Sequence, residues 1–144
     1  MELPHGRILA LDLGARRIGI AVSDPLGITA QGLPTLQRLN RRRDLDALRA
    51  LAEQQAAVAW LMGLPRQMNG LEGRQADEVR RWGDLLQRHT GLPVEYWDER
   101  LTTVEAGRVL REAGSSLAQT RRAIDRLSAV ILLQSYLDRR ANPV

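Results

Sequence analysis

Hydrophobic positions along the chain fall into two kinds of period. Arg7-Ile8-Leu9-Ala10-Leu11-Asp12 is an apolar, β-prone run; Leu13-Gly14-Ala15-Arg16-Arg17 interrupts it, and Ile18-Gly19-Ile20-Ala21-Val22-Ser23 resumes it. Two strands joined by a short turn fit this pattern. Pro25 and Gly27 then stand at turn positions, and the segment from Ile28 to Leu36 returns as a third strand, so the chain opens as an antiparallel meander. From Asp44 the spacing changes. Leu45, Leu48 and Leu51-Ala52 recur at helical intervals, predicting a helix from Asp44 to about Gln55. Ala57-Val58-Ala59-Trp60-Leu61-Met62 is continuously apolar and is stopped by Gly63-Leu64-Pro65, as expected of a parallel strand buried on both faces.

The segment from Arg66 to Arg74, with Asn69-Gly70 and Gly73, reads as a loop into a second helix from about Glu72 to His89, which Thr90-Gly91-Leu92-Pro93 ends. Val94-Glu95-Tyr96-Trp97 is a short strand with Asp98-Glu99-Arg100 at its C-terminal end. Thr102 or Thr103 can cap a third helix, closed by Gly114-Ser115-Ser116. A last helix spans about Thr120 to Arg139; it is almost wholly apolar from Leu127 to Leu133 and so packs on the sheet. The order β-β-β-α-β-α-β-α-α predicts an α/β fold: a mixed sheet, antiparallel in its first three strands and parallel where strands alternate with helices, with helices on both faces.

Composition narrows the classes. With 144 residues, 44% hydrophobic and 26% charged, the chain suits a single domain spanning 1–144. No apolar run approaches the roughly 18 residues of a bilayer span, and the first residues lead into a strand rather than a signal peptide. A soluble intracellular protein with no membrane partner is expected. The absence of cysteine removes disulfides, thiolate nucleophiles and thiolate zinc sites, so a bound metal would be held by carboxylates. All 21 basic residues are arginine and the net charge is +4. That surface suits phosphate, because the guanidinium fork donates bidentate hydrogen bonds, but a merely solvated basic face is an equal reading of charge alone.

In open α/β sheets, ligands bind beyond the C-terminal ends of the parallel strands, where Asp12 and the Asp98-Glu99 pair fall. Asp125 precedes Ala129, Leu132 and Tyr136 at helical spacing, on a face expected to pack inward. Each acid has a plain structural reading: Asp12 as a turn former, Glu99 in a surface pair with Arg100, and Asp125 paired with Arg121, Arg122 or Arg126 of its own helix. Together, on separate elements at one sheet edge, they make an oxygen-only site suited to Mg²⁺ or Mn²⁺. Two such ions about 3.5–4 Å apart activate water and stabilise the leaving oxygen in phosphodiester hydrolysis.

Leu9-Ala10-Leu11-Asp12-Leu13-Gly14 with Arg17-Ile18-Gly19-Ile20-Ala21, Gly63-Leu64-Pro65 with Asn69-Gly70, Asp98-Glu99-Arg100-Leu101-Thr102-Thr103, and Asp125 with Ala129 and Leu133-Gln134-Ser135-Tyr136-Leu137 resemble the YqgF (RuvX) family, in order and over nearly the whole chain. The resemblance implies an RNase H-like fold and a hydrolase: a divalent-metal-dependent nuclease of the bacterial cytoplasm that processes the 5′ end of pre-16S rRNA. A Holliday-junction resolvase acting on branched DNA is the runner-up. Matched to the family motifs, Asp12, Glu99 and Asp125 are the catalytic and metal-holding acids, with Asp98 a fourth candidate ligand. Arg126-Leu127-Ser128 replaces the small residue the family commonly has after the helix acid, and Arg16 stands where a lysine is frequent.

Arg16, Arg17, Arg100 and Thr102 are candidate nucleic-acid contacts, although turn arginines are commonly solvated and a threonine here also serves as a helix cap. Trp60 is expected in the core, no base stacking is assigned to Trp82 or Trp97, and His89 suits a helix C-terminus. Two other function classes compete. Asp12-Leu13-Gly14 before a hairpin resembles the first phosphate motif of actin-like ATPases, but a single lobe lacks the remaining nucleotide-binding segments. A non-catalytic nucleic-acid-binding module of the same fold would not need all three acids. Oligomeric state is open, since paired cuts need a symmetric dimer and trimming one RNA end does not.

Overall fold

The computed structural model describes residues 3–65, 73–98 and 117–142, with the side chains of the last segment from 123 onward. Its elements are β1 (Arg7–Leu13), β2 (Arg17–Ser23), β3 (Ala30–Gln37), α1 (Arg41–Gln55), β4 (Ala57–Leu64), α2 (Arg74–Thr90), β5 (Val94–Asp98) and α3 (Leu117–Ala141). They form one five-stranded sheet in the order β3-β2-β1-β4-β5. β1, β2 and β3 pair antiparallel, whereas β1, β4 and β5 run parallel. The helix expected after Thr102 falls outside the described residues.

Strand alternation sorts the core into two layers. Leu9 and Leu11 of β1, Ile18, Ile20 and Val22 of β2, and Trp60, Met62 and Leu64 of β4 pack with Leu48 of α1 and Val79, Trp82 and Leu86 of α2. Ile8, Ala10, Ala21, Ala59 and Leu61 point the other way, against Ala129, Leu132, Leu133, Tyr136 and Leu137 of α3. β1 and β4 are therefore covered on both faces, which is why their sequences read as continuous apolar runs. Trp60 is fully buried and its indole Nε1 donates to Thr90 Oγ1 at 3.0 Å. Trp60→Ala is expected to cost about 3–5 kcal/mol, read as a lowered denaturant midpoint without a change in fold.

α2 starts at Arg74 rather than about Glu72 and α3 spans Leu117–Ala141 rather than about Thr120 to Arg139, and two further boundaries differ for a local reason. α1 starts at Arg41 rather than Asp44, because Asn40 caps it by accepting from the Arg43 N–H at 2.9 Å, and the buried Asp44 accepts from the Leu39 N–H at 3.0 Å. Arg41-Arg42-Arg43 carries no hydrophobic period, so the pattern becomes visible only a turn later. β3 starts at Ala30 rather than Ile28, because the Asp24 carboxylate collects the amides of Leu26, Ile28 and Thr29 and holds them in a turn. Those bonds, that of Thr29 foremost, lower the Asp24 pKa from its usual value.

Candidate functional site

Asp12 is the penultimate residue of β1 and pairs across the ladder with Gly19. Alternation places it with Ile8 and Ala10 on the face covered by α3. Gly19 is where α3 comes closest: a Cβ built there would lie 2.0 Å from the backbone carbonyl oxygen of Asp125. Directly opposed residues on neighbouring strands hold their Cβ positions only about 5 Å apart. The missing side chain of Gly19 therefore lets the backbone of α3 at Asp125 approach the sheet at the residue paired with Asp12.

Arg17 opens β2 on the same face, two residues before Gly19, and its Nε donates to Asp125 Oδ2 at 2.6 Å. The pair is partly open, with the side chains 29% and 26% exposed. The cation beside Asp125 thus comes from the strand beneath the helix. Arg126, an in-helix partner expected for Asp125, instead lays its aliphatic stem over Gly32 of β3, where a Cβ would meet its Cγ at 2.6 Å. Arg17 was expected as a phosphate contact. The structure pairs its guanidinium with Asp125.

Asp98 ends β5 at the same sheet edge, beside Leu64 of β4. Its position on the strand turns it the other way, since Val94 and Tyr96 share the α1–α2 layer while Trp97 joins the α3 layer. Asp98 shares the edge but not the face of Asp12. Glu99, Arg100, Thr102 and Thr103 lie outside the described residues. Arg16 is exposed in the β1–β2 turn, where its carbonyl accepts from the Arg38 N–H at 2.9 Å. Among the described residues no three His, Asp or Glu side chains gather as a metal cage. Asp12 and Asp125 are two hard oxygen donors on one face, and a carboxylate-only set of this kind suits a divalent cation of the Mg²⁺ class.

Arg38 is a residue beside the turn after Asp12 that sequence reasoning did not single out. Its Nη1 donates to the Gly14 carbonyl at 2.5 Å, fixing the turn that follows Asp12, and its guanidinium lies 5.3 Å from the Trp82 ring centroid. No periodic signal marks it, since it falls between β3 and α1. Gly14 itself closes the turn through its N–H to the Arg17 carbonyl at 2.9 Å, and a Cβ there would meet that oxygen at 2.6 Å. The aromatic residues serve packing. Trp97 meets Tyr136 edge-on at 5.3 Å, and His89, at the end of α2, bonds Asp46 through Nε2 at 2.7 Å.

This arrangement has known relatives. A Koribacter versatilis protein named "Putative pre-16S rRNA nuclease" is 54% identical over 136 residues, covering 94% of this chain and 89% of that protein. A Moorella thermoacetica protein of the same name is 52% identical over 133 residues, covering 92% and 95%. Among solved structures, Thermus thermophilus RuvC in complex with a Holliday junction superposes with a TM-score of 0.59 at 13% identity, over 96% of this chain and 98% of that one. Fowlpox virus resolvase in its Holliday junction complex superposes with a TM-score of 0.55 at 9% identity, over 92% and 97%. At such identities these two structures show the fold, which is the RNase H-like fold of the resolvases. The model of the RuvX family, described as Holliday junction resolvase, matches residues 6–139, and the chain belongs to that nuclease family.

Proposed function

We propose that this chain is a divalent-metal-dependent endonuclease of the cytoplasm that hydrolyses phosphodiester bonds in RNA and processes the 5′ end of pre-16S rRNA. The observation that carries the reading is that α3 comes closest to the sheet through Asp125 at Gly19, the residue paired with Asp12, with the Arg17 Nε 2.6 Å from Asp125 Oδ2. The names of the curated relatives support rRNA as the substrate.

Asp12, Asp125 and Glu99 would hold Mg²⁺ or Mn²⁺, two ions in the full site. When bound, such ions supply an activated water and offset charge on the leaving oxygen. Glu99 is favoured over Asp98 as the third acid because Asp98 lies on the face of β5 opposite to that of Asp12. The chain's own groups do the positioning. Gly19 lets α3 approach β2 closely at Asp125. Arg17, which balances Asp125, is the cation nearest to an incoming phosphate and can turn its fork to that group's oxygens. Arg16, Arg100 and Thr102 would add nucleic-acid contacts.

Arg17→Ala is expected to lower cleavage roughly 10²-fold while costing only about 1 kcal/mol of stability, since the pair is partly open to solvent. Single-turnover cleavage beside thermal unfolding measures both. Substrate choice is tested by offering labelled 5′-extended small-subunit rRNA precursor and a four-way DNA junction to the same preparation with Mn²⁺. Preferential cutting of the precursor supports the RNA reading. Junction-selective cutting replaces it with the resolvase reading, in which a symmetric dimer places two sites on opposed strands. Binding of both without cleavage leaves a nucleic-acid-binding module.

A further inference from the structure

Away from the acids, on the other face of the sheet, α1 and α2 enclose an open groove of about 600 Å³. Four arginines line it, Arg38 between β3 and α1, Arg41 at the start of α1, and Arg81 and Arg88 along α2, against the two acids Glu78 and Asp84. Arg81, Arg88 and Leu85 recur at three- and four-residue spacing, so one stripe of α2 forms the wall and Trp82 and Leu85 its apolar lining. Arg41, Arg81 and Arg88 are exposed, and none makes an ion pair with a described residue. Their charge is thus available to an anion.

The groove is not isolated. A second cavity of about 400 Å³ shares Arg38 and Glu78 with it and is walled by Leu13, Gly14 and Ala15 together with Pro65. Those three residues are the turn that directly follows Asp12, and Arg38 is bonded to the Gly14 carbonyl. The two cavities therefore adjoin at Arg38 and Glu78, one beside the turn that follows Asp12 and the other along α2. A chain of phosphates leaving the acids would meet arginine along its length.

We propose that this α1–α2 groove is a second nucleic-acid subsite, which takes the single-stranded flank of the substrate beyond the scissile bond, with Arg41, Arg81 and Arg88 contacting its phosphates. The inference rests on the nuclease reading for the identity of the ligand, and on the two joined cavities for its place. Contacts to phosphate fix register without reading sequence, so the groove sets how far from the cut the substrate must remain unpaired. Its outer arginines belong to binding, not to the reaction.

The test is equilibrium binding of a labelled single-stranded RNA of about 16 nucleotides across a salt series in EDTA, comparing the wild type with Arg81→Ala/Arg88→Ala and with a charge-matched control, Arg49→Ala/Arg139→Ala. The groove variant is expected to bind at least about tenfold more weakly at low salt, with a salt slope shallower by about 1.4, the value for two lost single-strand phosphate contacts. Unchanged affinity and slope in that variant overturn the proposal. So does an equal loss in the control, which would make net charge the cause. Cleavage separates this outcome from the fate of the catalytic reading: the groove variant should cut a substrate with no flank at the wild-type rate and lose rate only on the flanked one. If no form cuts RNA but only the groove variant loses affinity, the groove stands and the nuclease reading falls.

Discussion

Asp12→Ala is expected to reduce metal-dependent cleavage by about 10³-fold or more while leaving the thermal midpoint within a few degrees of the wild type. The loss follows from position. Asp12 stands at the C-terminal end of a central parallel strand, opposite Gly19, where α3 approaches through Asp125, so its removal takes away one of the two described acids proposed to hold the metal. A thousandfold loss corresponds to about 4 kcal/mol of transition-state stabilisation, a magnitude ordinary for a group that places charge at a reacting phosphate. Folding is largely spared because Asp12 is only partly buried at the strand end, whereas the cores on either side of β1 are built from Ile8, Leu9, Ala10 and Leu11. Single-turnover cleavage, thermal unfolding and RNA binding on one preparation separate these effects. Unimpaired cleavage would remove Asp12 from the site.

The second large effect is expected from a residue with no functional group. Gly19→Ala would place a methyl 2.0 Å from the Asp125 carbonyl oxygen and 2.7 Å from its carbonyl carbon. Both are backbone atoms of a helix, so no flexible side chain can turn aside and α3 as a whole must lift from β2. Overpacking of this kind costs about 2–3 kcal/mol, a fall of roughly 5–10 °C in midpoint for a domain of this size. The same lift carries Asp125 away from Asp12, and a displacement of about 1 Å can cost on the order of 10²-fold in rate. Gly19→Ala should thus lose both stability and activity, and residual folded protein should cleave slowly even well below its midpoint. A variant that is destabilised but fully active when folded would show that the approach of α3 does not position the acid.

The sequence carried the architecture because the physical signal is local. Continuous apolar runs at Ile8–Leu11 and Ala57–Met62 mark strands buried on both faces, and the helical spacing of Ala129, Leu132 and Tyr136 marks the packed side of α3. Boundaries were less legible where capping rather than periodicity sets them, as at Asn40 and in the Asp24 turn. The candidate acids were visible as residues, but their relation was not. Arg17 and Asp125 are 108 positions apart, so nothing in the helix's own sequence shows that its carboxylate is met by the strand below rather than by Arg126. The faces of Asp98 and Glu99 were equally hidden, because Tyr96 and Trp97 are both apolar and leave the phase of β5 undefined; their separate core layers resolve it for Asp98. The α1–α2 groove has no sequence signature, since its arginines look like a solvated face until two helices are set side by side.

The measurement that bears most directly on the central claim is cleavage of the 5′-extended rRNA precursor by protein stripped with EDTA and then titrated with Mn²⁺ or Mg²⁺, with Asp12→Ala carried in parallel. The account predicts no cutting in EDTA, recovery on addition of either ion, and no recovery in the variant. Cutting at full rate in EDTA, or equal recovery in Asp12→Ala, would contradict it.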